Sequence, residues 1–154
     1  MLKLISVVFL FCLSEVVFAE TDFAKGVEMM RESEGQEIFI QKFAAAAKAK
    51  DSAGVIGMVD PTIIPPNKED ALNLWLNREV FPFFGKFSKI HNSKQITNAV
   101  MPDGKVGLWH YTYIVDDNEK VRPFRIAIIN TENGPKMLDF IANECVKDRH
   151  PFCP

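Results

Sequence analysis

The fold is decided by Lys105-Val106-Gly107-Leu108-Trp109-His110-Tyr111-Thr112-Tyr113-Ile114-Val115-Asp116, a run of β-branched and aromatic residues that reads as one long strand. Comparable runs lie on either side of it, at about 88–100, 121–131 and 136–146. Between them stand Pro102-Asp103-Gly104, Asp116-Asp117-Asn118 and Glu132-Asn133-Gly134. Each is a hairpin signal, because Gly, Asn and Asp tolerate the left-handed backbone of a tight turn. Three hairpins in series predict a four-stranded antiparallel meander.

Working outward, the part of the chain before the strands has helical spacing. Met29, Met30, Ile38, Phe39, Phe43, Ala46 and Ala47 stand against a charged remainder between Glu28 and Lys50, with Gly35 as a break. A helix from about Glu37 to Lys50 follows. Asp51 and Ser52 then open a short apolar segment that Asp60-Pro61 ends. After Pro65-Pro66, Asn67 is placed to cap a third helix, with Leu72, Trp75, Leu76, Glu79, Val80 and Phe83 along one face. Pro82 and Gly85 should bend and stop it. Helices followed by a meander give an α+β class, with the helices covering one face of a curved sheet.

At the other end of the sequence, Met1 and Lys3 precede an apolar run from Leu4 to Leu13, and Val17-Phe18-Ala19 offers small residues at the two cleavage-determining positions. This reads as a secretory signal peptide, 1–19, cut before Glu20. The run is too short for a membrane span, and Phe11 before Cys12 is too bulky for lipid attachment, so no membrane anchor is expected. The expected parts are then a helical extension over 20–36, an α+β domain over 37–146 and a tail over 147–154. The net charge of −2 and the absence of a long basic run count against nucleic acid as a partner. Export, to a periplasm in preference to full secretion, makes a disulfide the simplest fate of Cys145 and Cys153, pinning the tail. His150 lies between them, but two thiols and one imidazole lack a fourth ligand, so no metal is expected.

The stretch Phe39-Ile40-Gln41-Lys42-Phe43-Ala44-Ala45-Ala46-Ala47-Lys48-Ala49-Lys50-Asp51 resembles the opening helix of the nuclear-transport-factor-2-like superfamily, and the order of the later elements resembles it too. The resemblance covers roughly Glu37 to Cys145. It implies a cone-shaped α+β roll, a homodimer formed through the sheet, and a pocket between helices and sheet. In the ketosteroid isomerase branch the first helix carries an oxyanion-binding tyrosine; the matching position here looks like Phe43, which has no hydroxyl. The general base of that branch should fall near Pro66 to Asp70, where Asp70 sits at a helix start. Isomerase chemistry of that kind is therefore not expected.

Two-residue turns centred on Asp103-Gly104, Asp117-Asn118 and Asn133-Gly134 would sort the sheet into two faces. One gathers Ile96, Asn98, Gly107, Trp109, Tyr111, Tyr113, Phe124, Ile126, Ile128, Asp139 and Ile141. The other gathers Gln95, Thr97, His110, Thr112, Arg125, Ala127, Leu138, Phe140 and Ala142. Both carry apolar residues, so the sheet needs two covers, a helix layer and a second protomer. The pocket candidates are Phe43, Trp75, Trp109, Tyr111, Tyr113, Phe124 and Asp139, with Asp139 either a working carboxylate or one hydrogen-bonded within the strands. His110 and Arg125 would meet an anion or a dimer partner, and no serine, cysteine or carboxylate is placed by the sequence to form a triad with His110. His91 reads as a loop or strand-edge residue.

The chain has no Gly-x-Ser-x-Gly elbow, phosphate-cradling glycine loop, Cys-x-x-Cys or His-Glu-x-x-His. Gln95-Ile96-Thr97-Asn98-Ala99 is a partial echo of the cystatin inhibitory hairpin, with Ala99 where that motif has glycine. The expectation is a non-catalytic exported binding or assembly domain for a small apolar or amphipathic ligand, without a cofactor. The competing expectation is an isomerase-, lyase- or cyclase-like enzyme built on Asp139.

Overall fold

Gln36, Phe39, Ile40, Phe43, Ala44 and Ala47 recur at helical spacing and are all buried, and this stripe sets the first helix of the computed structural model, α1, over 35–48. The structure describes residues 30, 31, 33–64, 69–93, 95–147, 149 and 150. The leader, Asn67 and Cys153 lie outside these residues. From Gly35 onward the chain forms one compact unit. Ahead of it the described residues are helical, and Ser33 Oγ donates to the Met30 carbonyl at 2.7 Å. Met30 and Ile38, read as apolar-face positions, are 64% and 57% exposed and belong to the solvent side.

Asp51 caps α2 (Ser52–Met58) by accepting the Gly54 amide at 2.9 Å. A single 3-10 turn, Pro61–Ile63, follows. Helix α3 (Glu69–Trp75) runs into a wide i→i−5 turn over Leu76–Val80 and then α4 (Phe81–Phe84). Pro82 explains the widening. It has no amide to give the Arg78 carbonyl, so the regular ladder fails there and the Phe81 amide reaches back to the Leu76 carbonyl.

The sheet is antiparallel and five-stranded: β1 (Phe87–Ile90), β2 (Gln95–Val100), β3 (Val106–Asp116), β4 (Val121–Thr131) and β5 (Gly134–Ala142). The class is α+β, as expected, but the run read as one strand over 88–100 is two. The His91 amide still reaches the Tyr113 carbonyl at 3.1 Å, but Asn92 and Ser93 leave the ladder, and β1 and β2 pair with successive stretches of β3.

All three hairpins also differ by one residue from two-residue turns at the positions read from the sequence. At the β2–β3 turn the Met101 amide donates to the Lys105 carbonyl at 2.8 Å, leaving three residues in the loop, with Gly104 at φ +84°. At the β3–β4 turn the Asp116 amide meets the Lys120 carbonyl at 3.0 Å, with Glu119 at φ +61°. At the β4–β5 turn Thr131 pairs with Gly134, and an irregularity near Leu138 shifts the register again. A one-residue slip moves a strand's side chains to the other face.

Ile96, Phe124, Ile126 and Ile128 therefore share a face with Leu108, His110, Thr112, Phe140 and Ala142. Trp109, Tyr111 and Tyr113 share the opposite one with Gln95, Thr97, Arg125, Ala127 and Asp139.

The first face holds the main core. Phe43, Phe83, Phe84, Phe124 and Phe140 are buried there, with most ring contacts edge-on at 4.9 to 5.9 Å between centroids. The second face is covered in part by the chain's own tail. His150 lies edge-on to Tyr111 at 5.4 Å, its Nδ1 accepts the Val146 amide at 3.0 Å, and its Nε2 donates to the Phe124 carbonyl at 3.0 Å. Both ring nitrogens of His150 are thus occupied. His91 stacks on Tyr113 at 4.2 Å, giving this face a further cover that the sequence reading left without a role.

Candidate functional site

Among the described residues, chemistry gathers at an apolar place and at a polar one. The apolar one is a cavity of about 230 Å³ beside β5, lined by Val59, Ile63, Ile64, Ala71, Leu72, Trp75, Met137, Leu138, Asp139 and Phe140. β5 is the edge strand of the sheet, and Val59 makes a parallel bridge to Met137 on its free side. The Asp60 amide continues that contact by donating to the Met137 carbonyl at 2.8 Å. Ile63 packs against the apolar clusters on both faces of the sheet, so the chain wraps around the β5 edge and α3 closes the cavity from above.

The wall is held by a polar clasp. The buried Asp60 carboxylate accepts the Thr62 amide at 2.9 Å, the Thr62 hydroxyl at 2.5 Å and the Lys105 ammonium at 2.8 Å. Lys105 also donates to Thr62 Oγ1. Burial alone would raise the Asp60 carboxyl, but the hydrogen bonds from Lys105 and Thr62 outweigh it and hold the group below the usual carboxylate range. The clasp ties the cavity wall to the β2–β3 loop.

Of the sequence-derived pocket candidates, Trp75 and Asp139 line this cavity, and Trp75 meets Phe140 edge-on at 6.3 Å. Asp139 accepts the neighbouring Phe140 amide at 2.7 Å. Phe43 and Phe124 lie in the aromatic core instead. Trp109, Tyr111 and Tyr113 are on the opposite face of the sheet, where the Arg125 guanidinium sits 4.5 Å over the Trp109 ring and pairs with Glu144 at 2.5 Å. The register explains the separation, since the strand carrying the three aromatics turns them away from the helices. Asp70 is exposed on α3.

The polar place is one the sequence reading missed. His110, expected on an outward face, is fully buried beneath α1. Its Nε2 lies 2.7 Å from Gln36 Oε1, and its Nδ1 lies 2.8 Å from Ser93 Oγ and 3.7 Å from Glu37 Oε1. Gln36 donates from Nε2 to Asn130 Oδ1 at 3.1 Å, and Glu37 Oε1 accepts the Ser93 amide at 2.8 Å. Burial works to raise the Glu37 carboxyl, and the neighbouring His110 ring together with hydrogen bonding from Ser93 overcomes it and lowers the group from its ordinary value. The only sequence signal for this cluster was Gln36, a polar residue three and four positions ahead of Phe39 and Ile40 on the same helix stripe. Ser93 carried none, because it lies in the loop between β1 and β2, outside any periodic pattern.

No family model, curated protein or solved structure matches the chain.

Proposed function

We propose that this chain is an exported, non-catalytic binding domain that holds one small apolar or amphipathic molecule between its helices and β5. The observation that carries the reading is the cavity of about 230 Å³, whose lining is apolar apart from Asp139 and the Trp75 indole nitrogen. Apolar cavities of about 150 Å³ stay dry and accept a benzene-sized guest, so this one suits a single substituted ring or a short branched chain. The same reading includes the cone-shaped roll of the nuclear-transport-factor-2-like superfamily, a homodimer formed through the sheet, removal of 1–19, a periplasmic location and a Cys145–Cys153 disulfide. Binding is favoured over isomerase or lyase chemistry because the hydrogen bond at the Asp139 carboxylate comes from the Phe140 backbone. An acid–base site would need a second polar side chain there.

Native mass spectrometry of the protein isolated from its own compartment, under gentle and then denaturing conditions, tests the reading. A retained small-molecule mass that disappears in Ala71→Phe, whose ring would fill the cavity, supports it. An empty wild-type protein that also fails to take up toluene overturns it in favour of a pure assembly role.

A further inference from the structure

Ser93, His110, Gln36 and Glu37 take no part in the cavity and belong to nothing proposed for it. Ser88 Oγ donates to the Val115 carbonyl, as structural serines commonly do, whereas Ser93 Oγ is hydrogen-bonded to an imidazole nitrogen. We propose that Ser93 is a nucleophile activated by His110, and that it takes acyl groups from small activated esters.

Gln36 donates from Nε2 to Asn130, so its Oε1 faces His110 Nε2 as an acceptor and places the ring proton on Nε2. The Nδ1 lone pair then accepts the Ser93 hydroxyl proton at 2.8 Å. A base is thus aimed at a hydroxyl, with a third group fixing the base's tautomer and ring plane; His110 and Gln36 are buried and Ser93 is half-buried. Glu37 supplies the remaining element: its carboxylate, 3.7 Å from Nδ1, faces the positive charge that the ring acquires when it takes the proton. Gln36 and Glu37 are positioning residues; Ser93 and His110 touch the reacting atoms.

The step balances without an outside oxidant or reductant. Ser93 Oγ bonds to the ester carbon while its proton passes to His110 Nδ1 and the carbonyl π pair moves onto oxygen. Collapse breaks the bond to the leaving alcohol, which takes the proton from Nδ1. Water then attacks the acyl-serine, gives its proton to Nδ1, and Oγ leaves with that proton, yielding a carboxylic acid and free Ser93.

The full chain is treated with a fluorophosphonate probe and, separately, with p-nitrophenyl acetate, and adducts are mapped by mass spectrometry. The folded protein should be labelled at Ser93 on the order of a hundredfold faster than the same chain in denaturant, the share a positioned base contributes. Ser93→Ala should remove the adduct. Gln36→Glu, which puts a carboxylate behind the ring, should shift the pH profile of labelling, a change that a merely structural role would not cause. Should either variant fail to fold, the comparison of native with denatured wild type decides alone. Labelling of native Ser93 at the denatured rate, or at no detectable rate, overturns the proposal.

Discussion

The Glu119 amide donates to the Asp116 carbonyl at 3.0 Å, and Glu119 adopts φ +61°, which turns the Lys120 carbonyl back to accept the Asp116 amide at 3.0 Å. The Asp116 carboxylate completes the loop by accepting the Asn118 amide at 2.8 Å and the Lys120 amide at 3.0 Å. The left-handed conformation costs a residue with a Cβ about 1–2 kcal/mol, most of which glycine avoids. Glu119→Gly should therefore stabilise the protein by up to about 1 kcal/mol after the glycine's greater unfolded-state freedom is counted. An increase in the urea midpoint with an unchanged slope is the expected result, and a decrease would show that the Glu119 side chain contributes more than its backbone costs.

The same loop shows where the sequence was legible and where it was not. Residue types announced the turns, because Asp, Asn and Gly at 103–104, 117–118 and 133–134 have few other uses between β-rich runs. They did not announce loop length. A glutamate in the left-handed region carries no compositional signal, so the third residue of the β3–β4 loop was invisible, and with it the partnership of Trp109 with Ala127. The pocket reading inherited that slip. Trp75 was legible from helix spacing and reached the cavity, whereas Trp109, Tyr111 and Tyr113 depended on register and did not. The His110 cluster was illegible for another reason. Its members come from a helix, a loop and a strand, and only folding brings Gln36 and Ser93 to the two nitrogens of one ring.

Phe84 has no solvent exposure and meets Phe43, Phe83, Phe87, Phe124 and Phe140 within 6.0 Å between ring centroids. Helix α4 is only four residues long, and Phe84 and Phe83 are the rings that pack it on the sheet. Phe84→Ala should cost about 3–5 kcal/mol, the loss expected when a buried ring leaves a cavity. A urea melt gives the value. A loss under about 1 kcal/mol would mean that the neighbouring rings collapse into the space.

Gly107 opens β3 where its backbone passes β4. A Cβ built there would lie 2.5 Å from the Ile128 carbonyl oxygen and 3.0 Å from a Leu138 methyl group. The carbonyl is held in the sheet and cannot retreat as a flexible side chain would. Gly107→Ala should thus destabilise by about 1–3 kcal/mol through overpacking, despite alanine's better strand propensity. A thermal melt checks it, and an unchanged midpoint would show that the strand end shifts at no cost.

Asp60 and Lys105, 2.8 Å apart, make the cavity wall sensitive to acid. The folded-state pKa of Asp60 lies below its ordinary value because hydrogen bonds from Lys105 and Thr62 overcome the opposing effect of burial. A group lowered in this way contributes stability above its unfolded pKa, about 3.9 for aspartate, and loses that contribution as pH falls through the folded value. Glu37 is lowered too and adds to the same acid limb, so the wild type alone does not isolate Asp60. The comparison with Asp60→Asn does. The variant should be less stable by about 2 kcal/mol at pH 7, where a buried charged hydrogen-bond acceptor has been replaced, and the gap should close steadily as the pH drops below about 4. Urea midpoints of both proteins at several pH values read this directly. A gap that stays constant down to about pH 2, well below the ordinary aspartate value, would mean that the substituted amide loses packing and geometry, with the carboxylate charge contributing nothing to the clasp.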